Sequence, residues 1–246
     1  MRVAVCYSGQ LRTGFKTVEN HLAFFGDLKV DVFVHTWDHQ LNKRPGSIAE
    51  PVSFAEIDKF VKAHHAKMLI VENFYSERIA NQFHSPLYYS WKKSVELSQI
   101  YQKQHNIQYD AVIKLRPDVI FGPNKKLIDD VMLVKDNPTA FFLDNFPPNW
   151  EEIGFADDVY WISSPSAMNI AIGFYDNTQH KLLPAYLKSQ QVSFDTTTLK
   201  YPNYTIYREE CLQFSPIDEF EACRACDIMY FHYKSPWYSK LTAPSI

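Results

Sequence analysis

Arg2-Val-Ala-Val-Cys-Tyr-Ser-Gly-Gln-Leu-Arg12 decides the fold class. Residues 2–7 form a short, β-prone, mostly apolar run that breaks at Ser8-Gly9. A run of that length bounded by a turn signal reads as a buried central strand feeding a loop. Residues 30–36, Val-Asp-Val-Phe-Val-His-Thr, repeat the pattern with apolar and polar residues alternating. Residues 13–25, between them, read as a helix. Strand, helix, strand is the signature of two parallel strands, because a parallel pair needs a crossover. The expectation is an α/β protein with a mostly parallel central sheet flanked by helices.

Working outward, further elements have identifiable starts. Ser53-Phe-Ala-Glu56 fits a capping box and opens a helix to about His65. Ser85-Pro86 supplies a cap and a proline at the first helical position. Leu87, Tyr88, Trp91 and Val95 then recur at helical spacing, which predicts a long helix to about His105. Ala111–Leu115 reads as a strand stopped by Arg116-Pro117. Strands are expected at 140–143, 159–162, 204–207 and 228–232. Helices are expected from Ser164-Pro165 to about Tyr175, and near 181–189. No internal repeat, low-complexity tract or linker interrupts residues 1–246, so one domain is expected.

Composition sets outer limits. Of 246 residues, 46% are hydrophobic and 22% charged, enough to bury a core and exclude disorder as the main state. Seven glycines leave little material for a glycine-rich phosphate cradle. A net charge of −3 gives no global basic field to draw the chain onto nucleic acid. Four cysteines are too few for a secreted disulfide scaffold. The first residues lack a signal peptide's long apolar region, and no apolar run reaches the ~18 residues a membrane span needs. These features predict a soluble, cytoplasmic protein without a membrane span.

Three stretches can carry chemistry. The loop Ser8-Gly9-Gln10-Leu11-Arg12 follows the first strand, and ligands of open α/β sheets bind beyond the carboxyl ends of strands. Gly9 admits close backbone approach, and Arg12 can fork onto a phosphate; the plain alternative is a turn with a surface arginine. Arg116-Pro117-Asp118 ends the central strand 111–115. A carboxylate there suits Mg²⁺ or Mn²⁺, hard cations that bridge diphosphate oxygens; the alternative is a structural salt bridge. Asp157-Asp158 precede the strand at 159–162, where one of two adjacent carboxylates can serve as a base; acids before a strand are also common in plain turns. Among nine scattered histidines, His232 follows the last expected strand and is a candidate late metal ligand. Cys223-Arg-Ala-Cys226 is a single CxxC, and zinc would need further ligands such as Cys211 and His232. No G-x-S-x-G, H-E-x-x-H or Walker sequence appears.

Taken in order, these stretches resemble a family of bacterial and viral glycosyltransferase-like proteins. Val3–Thr13 resembles that family's first strand with its SGQ-x-R loop. Asp31-Val-Phe-Val-His35-Thr36-Trp37-Asp38 resembles its HTW-type second strand. Tyr109–Asp118 resembles its YD-strand-R-x-D segment, and Phe155–Met168 its acidic strand and following helix. The similarity spans roughly residues 2–190. It implies a GT-A type fold, a nucleotide-sugar donor, and a divalent metal (Mn²⁺ or Mg²⁺) holding the donor diphosphate. On that resemblance Ser8, Gly9, Gln10, Arg12, Thr36, Trp37, Asp38 and Arg116 bind the donor. Asp118 and His232 bind metal, and Asp157 or Asp158 is the catalytic base. Residues 1–125 form the nucleotide-sugar half and 126–246 the acceptor side. Arg116 stands where the family's metal motif has its first aspartate. The acceptor is a surface glycan or, in a viral source, a hydroxymethylated base in DNA, for which Lys92, Lys93, Lys125, Lys126, Lys234, Lys240, Trp237 and Tyr238 are the material. The alternative is a non-catalytic nucleotide- or sugar-binding module. Trp37, Tyr88, Tyr89, Trp150, Tyr160, Trp161 and Trp237 are the rings expected to divide between core and cleft.

Overall fold

The computed structural model describes residues 1–40, 50–75, 86–143, 159–177, 179, 182–195 and 204–206. Strand β1 is Arg2–Ser8 and β2 is Lys29–Trp37, paired in parallel from Arg2↔Lys29 to Ser8↔His35. Between them the expected helix is split. A 3₁₀ turn at Gly14–Lys16 precedes helix α1, Val18–Phe25. The split falls at Thr17, whose hydroxyl donates to the Gly14 carbonyl at 2.9 Å and the Pro117 carbonyl at 2.6 Å. A side chain that binds backbone groups in this way competes with the helical ladder.

His39–Gln40 (β3) and Glu50–Pro51 (β4) form a short antiparallel pair. Helix α2, Phe54–Ala63, carries the expected capping box, with Ser53 and Glu56 bonding reciprocally. Strand β5, Met68–Glu72, pairs in parallel with β2. Helix α3 runs Pro86–His105 and returns the chain to β6, Ala111–Leu115, which pairs in parallel with the other side of β1. Strand β7 (Val119–Phe121), helix α4 (Leu127–Asp136), β8 (Ala140–Leu143), β9 (Tyr160–Ser163), α5 (Pro165–Ile172), α6 (Leu183–Ser189), β10 (Ser193–Asp195) and β11 (Tyr204–Ile206) follow.

The main sheet has seven strands in the order β10-β8-β9-β6-β1-β2-β5. Strand β9 runs antiparallel to both neighbours, and the other pairings are parallel. The mostly parallel α/β class expected from the first two strands is therefore the observed one. Strands β7 and β11 form a separate antiparallel pair. Alternation along β1 sorts the layers: Val3, Val5 and Tyr7 join one core with α1, α2 and α4, while Ala4 and Cys6 join the other with α3, α5 and α6. The Cys6 thiol is buried, and burial pushes it up to about 12, so it is an inert core group. Among the described residues no helix is long and apolar enough to cross a membrane. The strand expected at 228–232, and Ser85, Cys211, Cys223 and Cys226, lie outside the described residues.

Candidate functional site at the switch point of the sheet

From β1 the chain winds one way, to β2 and β5, and then crosses back to β6 on the opposite side of β1. The direction of winding reverses between β1 and β6. That reversal opens a crevice at the carboxyl ends of the two strands, where open α/β sheets bind ligands. The loop after β1 carries Arg12, and the turn after β6 carries Arg116 and Asp118. These two stretches, read separately from the sequence, converge there.

Asp118 is 2% exposed. Arg116 grips it with a fork: Nε donates to Oδ1 at 2.9 Å and Nη2 to Oδ2 at 2.7 Å. Arg12 Nη1 donates to the same Oδ2 at 3.4 Å, and its Nε donates to Gln10 Oε1 at 3.1 Å. Two guanidiniums thus meet on one carboxylate, and charge-assisted, bidentate pairs of this kind are the strong ones. The loop is shaped to bring them together. Gly9 has φ 106° and Arg12 φ 46°, both in the left-handed region. A Cβ on Gly9 would meet nothing within 4 Å, so the backbone conformation, not space, calls for glycine. A non-glycine residue at positive φ is uncommon outside asparagine and aspartate, and such strain collects at functional sites.

Helix α1 ties the two halves of the site together. The carbonyls of Pro117, Val119 and Phe121 accept from Thr17 Oγ1 (2.6 Å), His21 Nε2 (2.7 Å) and Asn20 Nδ2 (2.9 Å) respectively. Asn20 Oδ1 accepts from the Phe121 N–H at 2.7 Å. Alternate carbonyls of an extended strand share one side, and residues 17, 20 and 21 share one helix face, so the two periods match. Gly14 completes the contact, since a Cβ there would stand 2.7 Å from the Pro117 Cβ.

His21 uses Nε2–H on a carbonyl, so Nδ1 is the acceptor and takes the Tyr7 hydroxyl at 2.7 Å. His64 Nε2 stands 3.4 Å from the same hydroxyl, and its buried Nδ1 has no hydrogen-bond partner among the described residues. Burial, with His64 beside it, lowers His21 to about 3; burial, with His65 beside it, lowers His64 to about 4. Both rings are neutral parts of the support beneath Asp118.

On the other side of β1, the ends of β2 and β5 form a second polar lip. Burial pushes Asp38 up, but bonds from His39, the Phe74 N–H and Asn73 outweigh it and leave the carboxyl lowered. Trp37 is 2% exposed and packs against Phe74 and stacks on Tyr89. Ser8 and Thr36 are buried, and among the described residues neither hydroxyl has a hydrogen-bond partner. Asp38 therefore sits on a neighbouring lip with Thr36 and Trp37 buried behind it, and among the described residues none of the three joins the Arg12–Arg116–Asp118 cluster.

Of the rings considered for a cleft, Trp37, Tyr89, Tyr160 and Trp161 are buried in the core. Lys92 pairs with Asp176 and Glu96, Lys93 with Glu96, and Lys125 with Asp130, so three lysines of the supposed DNA groove already have acidic partners. Asp157, Asp158, His232, Trp150, Lys234, Trp237, Tyr238 and Lys240 lie outside the described residues. Val159, which follows the two aspartates, accepts from the Arg116 N–H at 3.0 Å.

Thr17, Asn20, His21, Ser90 and Lys114 escaped the sequence reading. Lys114 is fully buried, with Nζ 4.6 Å from the centre of the Trp161 ring. A lone lysine inside the apolar run Ala111–Leu115 was the available signal. The indole face beneath Nζ offers a cation–π contact that offsets part of the cost of burying it.

No protein-family model matches the chain, and no curated protein matches it. Among solved structures it is similar to the galactosyltransferase LgtC in complex with donor and acceptor sugar analogs (TM-score 0.40, 11% identity, 79% of this chain and 73% of that one). It is also similar to a glycosyltransferase involved in glycosylation of the major capsid of PBCV-1 (0.40, 12%, 90% and 92%). Mouse xyloside xylosyltransferase 1 in its apo form is a third (0.36, 11%, 79% and 83%). Likeness of this degree assigns neither family nor activity. What the fold and site define is an open, mostly parallel α/β sheet with two arginines and an aspartate gathered at its switch point.

Proposed function

We propose that the chain is a glycosyltransferase that moves a sugar from a nucleotide-sugar donor to a hydroxyl acceptor. The observation that carries this reading is the convergence of Arg12, Arg116 and Asp118 at the β1/β6 switch point. In the reaction the bond between the sugar's anomeric carbon and the diphosphate oxygen breaks, and a bond from the acceptor oxygen forms. Charge grows on the departing diphosphate, and fixed guanidiniums aimed at it lower the barrier. Arg12 and Arg116 are assigned to that task. Ser8, Gly9 and Gln10 shape the loop beneath, and Asp38 borders the donor just past the end of β2, with the buried Thr36 and Trp37 behind it. The acceptor proton is assigned to Asp157 or Asp158, by their place next to Val159.

A divalent cation fits this arrangement poorly. Both Asp118 oxygens already accept from Arg116, and a cation would have to displace that fork. Among the described residues no group of three or more His, Cys, Asp or Glu side chains is placed to hold a metal. The reading therefore gives the countercharge of the diphosphate to the arginines. For the acceptor, the ion-paired Lys92, Lys93 and Lys125 favour a glycan over DNA.

A thermal-shift screen of nucleotide sugars, with and without Mn²⁺, tests the reading. A ligand of the folded state raises the melting temperature by mass action. Stabilisation by a nucleotide sugar followed by release of nucleoside diphosphate supports a transferase. Stabilisation without turnover, across glycan acceptors, leaves the binding module. No stabilisation by any donor defeats both.

A further inference from the structure

The long helix α3 turns three serines toward the sheet at a spacing of four: Ser90, Ser94 and Ser98, all buried. Two of them close on their own helix, Ser94 on the Trp91 carbonyl at 2.8 Å and Ser98 on the Val95 carbonyl at 2.7 Å. Ser90 does not. Its Oγ accepts from the Gly9 N–H at 2.6 Å and lies 2.7 Å from His35 Nδ1 and 3.3 Å from the His35 carbonyl. His35 is fully buried, and its Nε2 donates to Glu72 Oε2 at 3.2 Å. Tyr89 donates its hydroxyl to the other oxygen, Oε1, at 3.1 Å.

The donors and acceptors fix the two ends of this chain. The carboxylate only accepts, so His35 presents Nε2–H to Glu72. At the other end the Gly9 N–H only donates, so Ser90 Oγ offers it a lone pair while meeting His35 at Nδ1. Although serine, histidine and acid stand in sequence, the serine oxygen is buried and already engaged, so the set is no nucleophile. Its terminus is the peptide at which the 8–12 loop leaves β1, at φ 106°. A glycine in open space has little else to hold it in one conformation.

We propose that Ser90 and His35 are positioning residues: by holding the Gly9 N–H they fix the departure angle of the 8–12 loop and so the placement of Arg12 against a nucleotide-sugar diphosphate. The part concerning the diphosphate rests on the transferase reading. Glu72 is the outer support: by accepting from Nε2–H it fixes the orientation of the His35 ring.

Amide exchange on the full chain tests the relay without reference to activity. Ser90→Ala should speed exchange of the Gly9 amide about tenfold or more, since its buried partner is gone. Glu72→Ala should speed it about threefold, and Glu72→Gln, which keeps an oxygen for His35 Nε2–H, should restore it. Ser94→Ala is the control: its hydroxyl serves only the helix, so it changes stability but leaves Gly9 exchange and donor affinity as they were. In titrations with UDP-glucose, UDP-galactose and GDP-mannose, Ser90→Ala should weaken the donor that binds wild type about fivefold. Unchanged Gly9 exchange in Ser90→Ala overturns the relay. Faster exchange with unchanged affinity overturns the positioning role. If wild type binds none of the three, the transferase reading fails while the exchange measurement still decides the relay.

Discussion

At the N-terminal end of β1, Arg2 donates Nε–H to Asp31 at 2.6 Å, and Tyr109 donates its hydroxyl to the same oxygen at 3.1 Å. The Arg2 N–H reaches the Asp110 carboxylate at 2.6 Å, while the Asp110 N–H returns to the Arg2 carbonyl at 2.8 Å. At the C-terminal end, Arg116 and Arg12 share Asp118. Both ends use an arginine against a buried aspartate. The lower end sets one guanidinium on its aspartate, with Lys67 4.0 Å from the other oxygen, and adds a tyrosine and a reciprocal backbone pair, which makes it a clamp. The upper end sets two guanidiniums on one carboxylate, on a loop with two left-handed residues, over neutral buried histidines. The difference teaches that an Arg–Asp pair has no fixed meaning. Stoichiometry, backbone conformation and position relative to the switch point give it one.

Acid should separate the two ends most. His21 and His64 are neutral in the fold, with values of about 3 and about 4, whereas unfolded histidine titrates near 6.5. As pH falls below 6.5 the unfolded chain takes up protons the folded chain refuses. Stability is therefore lost from about pH 6.5 downward, and the loss levels off once the folded values are passed. The two shifts together are worth on the order of several kcal/mol. Amides of 14–21 and 117–121 should lose exchange protection at pH 4 before those of 2–4 and 29–31; simultaneous loss at both ends would break the comparison.

Arg116→Ala should weaken nucleotide-sugar binding roughly 10- to 100-fold, the loss of a charge-assisted pair. Arg2→Ala should lower the melting temperature yet leave affinity within about threefold. Equal effects on affinity from the two substitutions, measured by calorimetry, would remove the distinction between clamp and site. Gly14→Ala forces a methyl against Pro117 and should cost about 1–3 kcal/mol in denaturant unfolding, as overpacking does. The smallest effect is expected from EDTA: on the proposed assignment of the countercharge to the arginines, it should alter donor affinity by less than about threefold. A larger loss on chelation, restored by Mn²⁺, would return Asp118 to the role of metal ligand.

Much of the frame was legible along the chain because it depends on local signals. The capping box at Ser53, the long helix to His105 and the strands at 2–7 and 111–115 each announce themselves within a few residues. The strand at Met68–Glu72 was missed, since five residues without a flanking turn signal give no decisive period. The short strand Val119–Phe121 was hidden behind Pro117. The break at Thr17 was only half local, because one acceptor of its hydroxyl is Gly14 and the other is 100 residues away. The aromatic excess divided toward the core among the described rings, which composition does not foretell.

By itself the sequence determined the class of fold and the two stretches, 8–12 and 116–118, that end the central strands. Hydrophobic period and turn chemistry are local properties, and they survive without a partner. Only the tertiary structure decided that Arg12, Arg116 and Asp118 meet, that Thr17, Asn20 and His21 lock the two stretches together, and that Ser90 of three like serines holds Gly9. Those contacts link residues 81 to 106 positions apart. No period or cap encodes such a distance; it is set by which strands lie side by side in the sheet.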